Sequence, residues 1–164
     1  MTDRRQFLSI AAVGSAAAAL FGWRTTPATA AEKFELTLSD AQWKARLSPA
    51  AYRTLRHEAT EYPGTSPLNH EKRAGSFWCG GCALPLYSST TKFDSGTGWP
   101  SFWQPLPNAV RTRVDGSLLF ERTEVHCRRC GGHLGHVFDD GPAPTGKRYC
   151  MNGVAMTFHP GKIG

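Results

Sequence analysis

The apolar positions change character once along the chain. From Ser39 to Ala59 they follow helical spacing, and from Gly75 onward they come as short aromatic- and valine-rich runs separated by turn residues. Ser39-Asp40-Ala41-Gln42 is a capping box, predicting a short helix to about Leu47. Ser48-Pro49 supplies the N-cap and first residue of a second helix running to about Ala59. Trp43, Leu47, Tyr52 and Leu55 are the predicted buried face of this pair, which reads as a flap packed on a β-core. Residues 31–38 read as a flexible lead-in, and Glu61–Gly75, with Pro63-Gly64 and Pro67, as a long polar loop. The predicted strands are Ser76–Trp78, Leu84–Ser88, Phe102–Pro105, Val110–Val114, Leu118–Val125, Val137–Phe138, Arg148–Asn152 and Ala155–Phe158. Asp115-Gly116 is a two-residue hairpin signal. The pattern predicts a mainly β fold of short antiparallel strands behind short N-terminal helices.

The cysteines add a clamp. Cys79-Gly-Gly-Cys82 and Cys127-Arg-Arg-Cys130 are two C-x-x-C knuckles, and four thiolates so paired can close a tetrahedral zinc site. The interval from Cys82 to Cys127 exceeds the usual ribbon spacing, so a strand-rich insertion lies between the knuckles. Gly80, Gly81, Gly131 and Gly132 permit the tight turns. Two disulfides are the alternative use of these four residues.

Cys150 is then left over. In an extended strand it shares a face with Arg148 and Asn152, because side chains alternate with period two. A guanidinium favours thiolate over thiol and a carboxamide can hydrogen-bond a polar substrate atom, which is how a nucleophile is placed. A buried structural cysteine on an aromatic-rich strand is the competing reading. Two clusters accompany it. Asp94–Phe102 combines glycines with Trp99 and Phe102, either a turn with core aromatics or an apolar wall for a small group such as a methyl. His133 and His136, spaced i, i+3, can act as acid or hydrogen-bond donors near neutral pH, although His133 could also serve as a fifth candidate metal ligand.

The N-terminus changes the expected location. Arg4-Arg5 followed by the weakly hydrophobic run Phe7–Trp23 and the small residues Ala28-Thr29-Ala30 reads as a cleaved twin-arginine signal over residues 1–30. A membrane anchor is the rival, but the run is short for a span and holds Ser9, Gly14, Ser15 and Gly22. The remaining residues 31–164 then form one exported, periplasmic domain without a stable membrane anchor. The formal charge of +6 includes Arg4, Arg5 and Arg24, and the rest of the excess is scattered, which argues against a nucleic-acid partner. Nothing in the sequence demands more than a monomer.

The two C-x-x-C pairs, D-S-G-T-G-W-P-S-F at 94–102, H-L-G-H-V-F-D-D-G-P at 133–142 and G-K-R-Y-C-M-N at 146–152 together resemble the B-type peptide methionine sulfoxide reductases, over roughly Leu36–Phe158. The resemblance implies two antiparallel sheets in a tent-like arrangement, structural zinc on Cys79, Cys82, Cys127 and Cys130, and reduction of the R epimer of methionine sulfoxide, free or in proteins. It makes Cys150 the nucleophile and places the substrate methyl at Trp99 with Phe102 nearby. His133, His136 and Asn152 then polarise the sulfoxide oxygen, with Arg148 supporting the thiolate.

One departure stands out. Many members of that family carry a resolving cysteine where this chain has Thr97, so the resemblance implies a one-cysteine cycle. In it a thioredoxin-like protein or small thiol reduces the Cys150 sulfenic acid. Two other readings use the same residues: a zinc-ribbon binding module with Arg128-Arg129 at a knuckle tip, and a thiol redox sensor that has lost turnover.

Overall fold

The computed structural model describes residues 32–116 and 121–161. The expected signal at 1–30 and the start of the expected strand Leu118–Val125 lie outside these residues. Helix α1 (Asp40–Arg46) starts at Ser39, whose hydroxyl accepts from the Gln42 N–H at 3.3 Å while the Gln42 side chain accepts from the Ser39 N–H at 2.9 Å. Both halves of the capping box are therefore present. Helix α2 (Pro49–His57) begins with Ser48 accepting from the Ala51 N–H at 3.2 Å and Pro49 at its first position. No helix of the described residues is long and apolar enough to cross a membrane.

Among the described residues nine strands follow: β1 (Gly75–Cys79), β2 (Pro85–Ser88), β3 (Lys92–Phe93), β4 (Ser101–Phe102), β5 (Val110–Asp115), β6 (Arg122–Cys127), β7 (His133–Phe138), β8 (Arg148–Met151) and β9 (Met156–Pro160). They form two antiparallel sheets, ordered β2-β1-β9 and β3-β4-β8-β7-β6-β5. The layers meet through aromatic rings. Phe77 of β1 lies edge-on to Phe102 of β4 with centroids 4.9 Å apart, and Tyr87 of β2 stacks on Phe102 at 4.3 Å. All three are fully buried, and each contributes about 1.5–3 kcal/mol by leaving water. Trp43 and Leu55 carry the two helices onto this core.

Several expectations shift. The lead-in is docked from Phe34 onward: Leu36 N–H donates to Arg129 O at 2.9 Å, and Phe34 meets the His126 ring edge-on. Glu35 pairs with both Arg128 and Arg129. The arginines of the second knuckle thus hold the N-terminal segment. The Asp115-Gly116 turn is not a two-residue hairpin, because the register pairs Asp115 with Arg122 and leaves residues 116–121 as the connection. β3, unmarked in the sequence, is a two-residue edge strand.

β7 begins at His133, earlier than its apolar residues suggest, and it carries a bulge. His126 of β6 pairs with His133 while Val125 pairs with Gly135, so Leu134 is the extra residue. This insertion matters because residues three apart on a regular strand face opposite ways. With it, the His133 and His136 rings lie edge to face, 5.4 Å apart. Gly135 has φ +154°, and a Cβ there would meet Cys150 O at 2.1 Å. Glycine is what lets β8 approach at this point.

Candidate active site

Cys150 sits on β8 between two neighbours, paired with Ser101 of β4 on one side and His136 of β7 on the other. Its thiol is free and half-buried. It opens into a cavity of about 120 Å³ lined by Trp99, Phe138, His136, Arg122, Thr60 and Asn152, among others. Two aromatic side chains and a sulfur therefore face a space that fits a small group. A larger groove of about 720 Å³ between α2 and the 61–68 loop shares Thr60 with it but holds no cysteine or histidine.

The electrostatics differ from what the Arg148–Cys150–Asn152 face suggests. Burial pushes the Cys150 thiol up, and the Thr97 hydroxyl, the Arg148 charge and Ser101 pull it down without overcoming that burial. Arg148 is largely spent elsewhere. Its Nε and Nη2 donate to the two carboxylate oxygens of Asp140 at 2.8 and 2.9 Å, and its guanidinium lies over the Phe138 ring at 4.4 Å. A bidentate ion pair delocalises the cation that would otherwise favour the thiolate.

Asn152 lies just past the end of β8 and lines the cavity, but its carboxamide is engaged. Nδ2 donates to Leu134 O at 3.1 Å and Oδ1 accepts from Glu61 N–H at 3.0 Å. Glu61 lies in the polar loop that follows α2. Its carbonyl accepts from the Trp99 indole N–H at 3.1 Å, and its carboxylate accepts from the Gly153 and Val154 N–H groups of the following 3₁₀ turn. One side chain and its backbone thus fix Trp99 against Asn152.

Each histidine is backed by a carboxylate. His136 Nε2 lies 2.8 Å from Asp115 Oδ2, which also accepts from Arg122 at 2.7 Å. Burial pushes His136 down, with Asp115 opposing. The neutral ring therefore gives its Nε2–H to Asp115 and keeps Nδ1 as an acceptor. His133 Nδ1 lies 2.7 Å from Glu124 Oε1, and its buried Nε2 has no hydrogen-bond partner among the described residues. Glu124 is itself buried and pairs with Arg113. Against the desolvation of its carboxylate, the neighbouring His126 imidazole, the hydrogen bond with His133 and the charge of Arg113 hold it well below the ordinary range.

That pairing gives a pH signature. Because the folded-state pKa is depressed below the ordinary 4.5, the stability from Glu124 is full above the unfolded value and is lost as pH falls through the folded one. Glu124→Gln is expected to destabilise the protein by about 2 kcal/mol at neutral pH, since it removes the buried carboxylate that His133 and Arg113 share, while the half-exposed Arg113 keeps its pair with Glu58. The urea midpoints of the two proteins should begin to approach one another as pH falls below the ordinary 4.5 and meet only in strong acid. Midpoints that stay parallel across pH would show that Glu124 carries no charge in the fold.

The four remaining cysteines form a second centre. Cys79 ends β1 and Cys127 ends β6, so the cluster joins the two sheets. All four sulfurs lie within 4.8 Å of one another and are buried, with Cys79–Cys130 at 3.7 Å and Cys82–Cys127 at 3.4 Å. A disulfide needs about 2.05 Å, whereas a tetrahedron with metal–sulfur bonds of about 2.3 Å has sulfur edges of about 3.8 Å. The donors fit a metal ion and not two disulfides. The knuckles close alike: Ala83 N–H donates to Cys79 O and Gly131 N–H to Cys127 O, both at 2.8 Å. The residue after each second cysteine has positive φ, +54° at Ala83 and +68° at Gly131. Only one of these positions is a glycine; Gly80 and Gly132 serve close packing instead. A Cβ on Gly132, for example, would meet Leu55 at 2.9 Å.

A family model described as the SelR domain matches residues 47–160. The peptide methionine sulfoxide reductase MsrB of Thiobacillus denitrificans is 52% identical over 123 residues, covering 74% of this chain and 93% of that relative. That of Agrobacterium fabrum is 50% identical over 123 residues, covering 74% of this chain and 91% of that relative. The chain belongs to the MsrB family. The chloroplastic peptide methionine sulfoxide reductase B1 of Arabidopsis thaliana is also similar, 52% identical over 128 residues that cover 77% of this chain and 63% of that relative.

One expected MsrB site residue is misplaced. Phe102 is fully buried between Phe77 and Tyr87 and does not line the cavity. The register explains this: Ser101 is the residue opposite Cys150, so its neighbour Phe102 points through β4 into the core. Phe138 supplies the second aromatic wall. Trp99, His136, Asn152 and Cys150 do meet at the cavity, His133 stands behind His136, and Arg148 lies beside it on β8. Cross-strand register brings Asp115, Arg122 and Glu124 to their histidine and arginine partners, and the folded-back 61–68 loop brings Glu61 to Trp99 and Asn152; none of these is marked as a site residue by local sequence.

Proposed function

We propose that this chain reduces the R epimer of methionine sulfoxide, free or within proteins, to methionine. One juxtaposition carries the reading: a free thiol opening into a small cavity walled by Trp99 and Phe138, in a chain whose relatives are named peptide methionine sulfoxide reductases. The aromatic walls take the S-methyl group, and the cavity volume suits a methyl sulfoxide but not a bulkier headgroup. In its imidazolium form, with Nε2–H on Asp115, His136 has a second N–H on Nδ1 to polarise the sulfoxide oxygen, directly or through water. His133 stands behind it, and Arg148, paired with Asp140, lends a weakened positive field at the sulfur. Asn152 acts by holding Glu61 and hence Trp99.

The reaction then balances simply. The Cys150 sulfur attacks the sulfoxide sulfur, the oxygen passes to Cys150 and methionine leaves, so the sulfoxide is reduced and the thiol becomes a sulfenic acid. Thr97 stands where a resolving thiol would be needed, and the other four cysteines are committed to the cluster. An external thiol therefore condenses with the sulfenic acid, releasing water, and a second thiol resolves the mixed disulfide. A thioredoxin-like protein or a small thiol fills this role. We assign Zn²⁺ to the four-cysteine cluster as a structural ion. We assign residues 1–30 to twin-arginine export on the strength of Arg4-Arg5 and Ala28-Thr29-Ala30, with residues 31–164 acting in the periplasm.

The test uses the separated epimers. With dithiothreitol, the R epimer is expected to give many turnovers and the S epimer none. Without a thiol, methionine release should stop at one per enzyme, leaving a single oxygen on Cys150 by mass spectrometry. Preference for the S epimer, or a disulfide joining Cys150 to another cysteine of the same chain, would overturn the scheme.

A further inference from the structure

Thr97 does more than vacate a cysteine position. Its hydroxyl is 3.9 Å from Cys150 Sγ and 2.8 Å from Ser95 Oγ, and Ser95 Oγ is 2.8 Å from the fully buried Ser101 Oγ. Ser101 donates to the Trp99 carbonyl at 3.1 Å. The four contacts form one chain of hydroxyls running from the sulfur to a backbone carbonyl.

A hydroxyl has a single hydrogen, and a carbonyl only accepts. Ser101 therefore spends its hydrogen on Trp99. The Ser95–Ser101 contact must be donated by Ser95, and the Ser95–Thr97 contact by Thr97. What remains at the sulfur end is an acceptor, matched to a neutral S–H. The terminal carbonyl thus orients the whole chain for the protonated thiol. Once the sulfur ionises, the match inverts. The thiolate has no hydrogen to give, and the nearest hydroxyl that can turn toward it is Thr97.

We propose that Thr97, Ser95 and Ser101 form a reversible hydroxyl relay, directed away from Cys150 at rest and turned at Thr97 to donate to the sulfur when it reacts. The relay makes Thr97 the hydrogen-bond donor to the nucleophile and, later, to its sulfenic acid. It makes Ser95 a restraint, because Ser95 competes for the same Thr97 hydrogen. The charged groups about Cys150 are Arg148 with Asp140 on and after its own side of the sheet, and His136, Asp115 and Arg122 from β5, β6 and β7. None belongs to the relay, so all stay in place when it is altered.

The proposal rests on Cys150 being the reacting sulfur but not on the substrate, so the test reads the thiol itself. The pH dependence of Cys150 alkylation by iodoacetamide is measured in the folded, metal-loaded protein, with the mass of the modified peptide identifying the residue. Thr97→Val, which keeps the shape and removes the donor, is expected to shift the midpoint upward and slow alkylation at pH 7 about tenfold. Thr97→Ser should restore it. Ser95→Ala frees the Thr97 hydrogen and should shift the midpoint downward, speeding alkylation severalfold. Opposite signs for Thr97→Val and Ser95→Ala establish the relay. Equal midpoints, or shifts of the same sign, overturn it, and Ser95→Ala alone decides if Thr97→Val fails to fold. Neither result depends on whether methionine sulfoxide is turned over.

Discussion

Cys150→Ser is expected to abolish turnover, lowering the rate by on the order of 10⁴-fold or more. The size follows from the chemistry. A serine hydroxyl ionises far less readily than a thiol, and no imidazole hydrogen-bonds to the residue at 150 to take its proton: His136 is tied to Asp115 and His133 to Glu124. Oxygen also cannot follow the thiol's path to a sulfenic acid. The fold should be indifferent, since the side chain is half-buried and the substitution nearly isosteric, so the unfolding free energy should stay within about 1 kcal/mol of the parent. Methionine released from the R epimer with excess dithiothreitol is the measurement. A variant retaining a tenth of parental activity would remove Cys150 from the reaction.

Removing the metal from the four-cysteine cluster is expected to have the largest effect on stability. The cluster ties the end of β1 in one sheet to the end of β6 in the other, and both helices lean on it. Arg56 of α2 donates to Cys130 O at 3.0 Å and lies over the Trp43 ring of α1. Structural zinc contributes on the order of 10 kcal/mol to folding, comparable with the 5–15 kcal/mol of a whole domain. Without the ion the four thiols cannot all ionise. Hydrogen bonds from Cys130, Cys79 and Cys82 hold the Cys127 thiol well below its ordinary range while Cys79, led by its contact with Cys127, is pushed far up. The purified protein should therefore carry one zinc per chain, and Cys127→Ser or exhaustive chelation should abolish the cooperative thermal transition. An unchanged transition in demetallated protein would mean that sheet packing alone suffices.

How much of this was readable in the chain depends on the range of the interaction involved. The helix starts at Ser39 and Ser48 are local, set by side chains reaching three residues ahead, and the sequence marks them clearly. The C-x-x-C knuckles are also local, and their pairing follows from thiolate chemistry. Cys150 and Arg148 share a face by strand parity alone. What failed needed register between distant strands. Phe102 reads as a site residue by proximity to Trp99, but pairing of Ser101 with Cys150 turns it into the core. The two histidines share a face only because Leu134 is a bulge, and no feature of His133–His136 announces an extra residue. Asp115 and Glu124 look like ordinary polar positions on β5 and β6 until β7 lies beside them. The Asp115-Gly116 turn was misjudged for the same reason, since turn chemistry proposes a connection but cross-strand pairing decides its length.

Glu61 has a consequence for how this family member can drift. Its carbonyl anchors Trp99, its N–H rests on Asn152 and its carboxylate caps the turn at Gly153, so three separate contacts share one residue. Substitutions at positions 61, 99 and 152 are therefore epistatic: the cost of the second depends on whether the first has already loosened the anchor. A polar loop position with no chemistry of its own becomes a gate on which neighbouring changes the lineage can accept, and in what order.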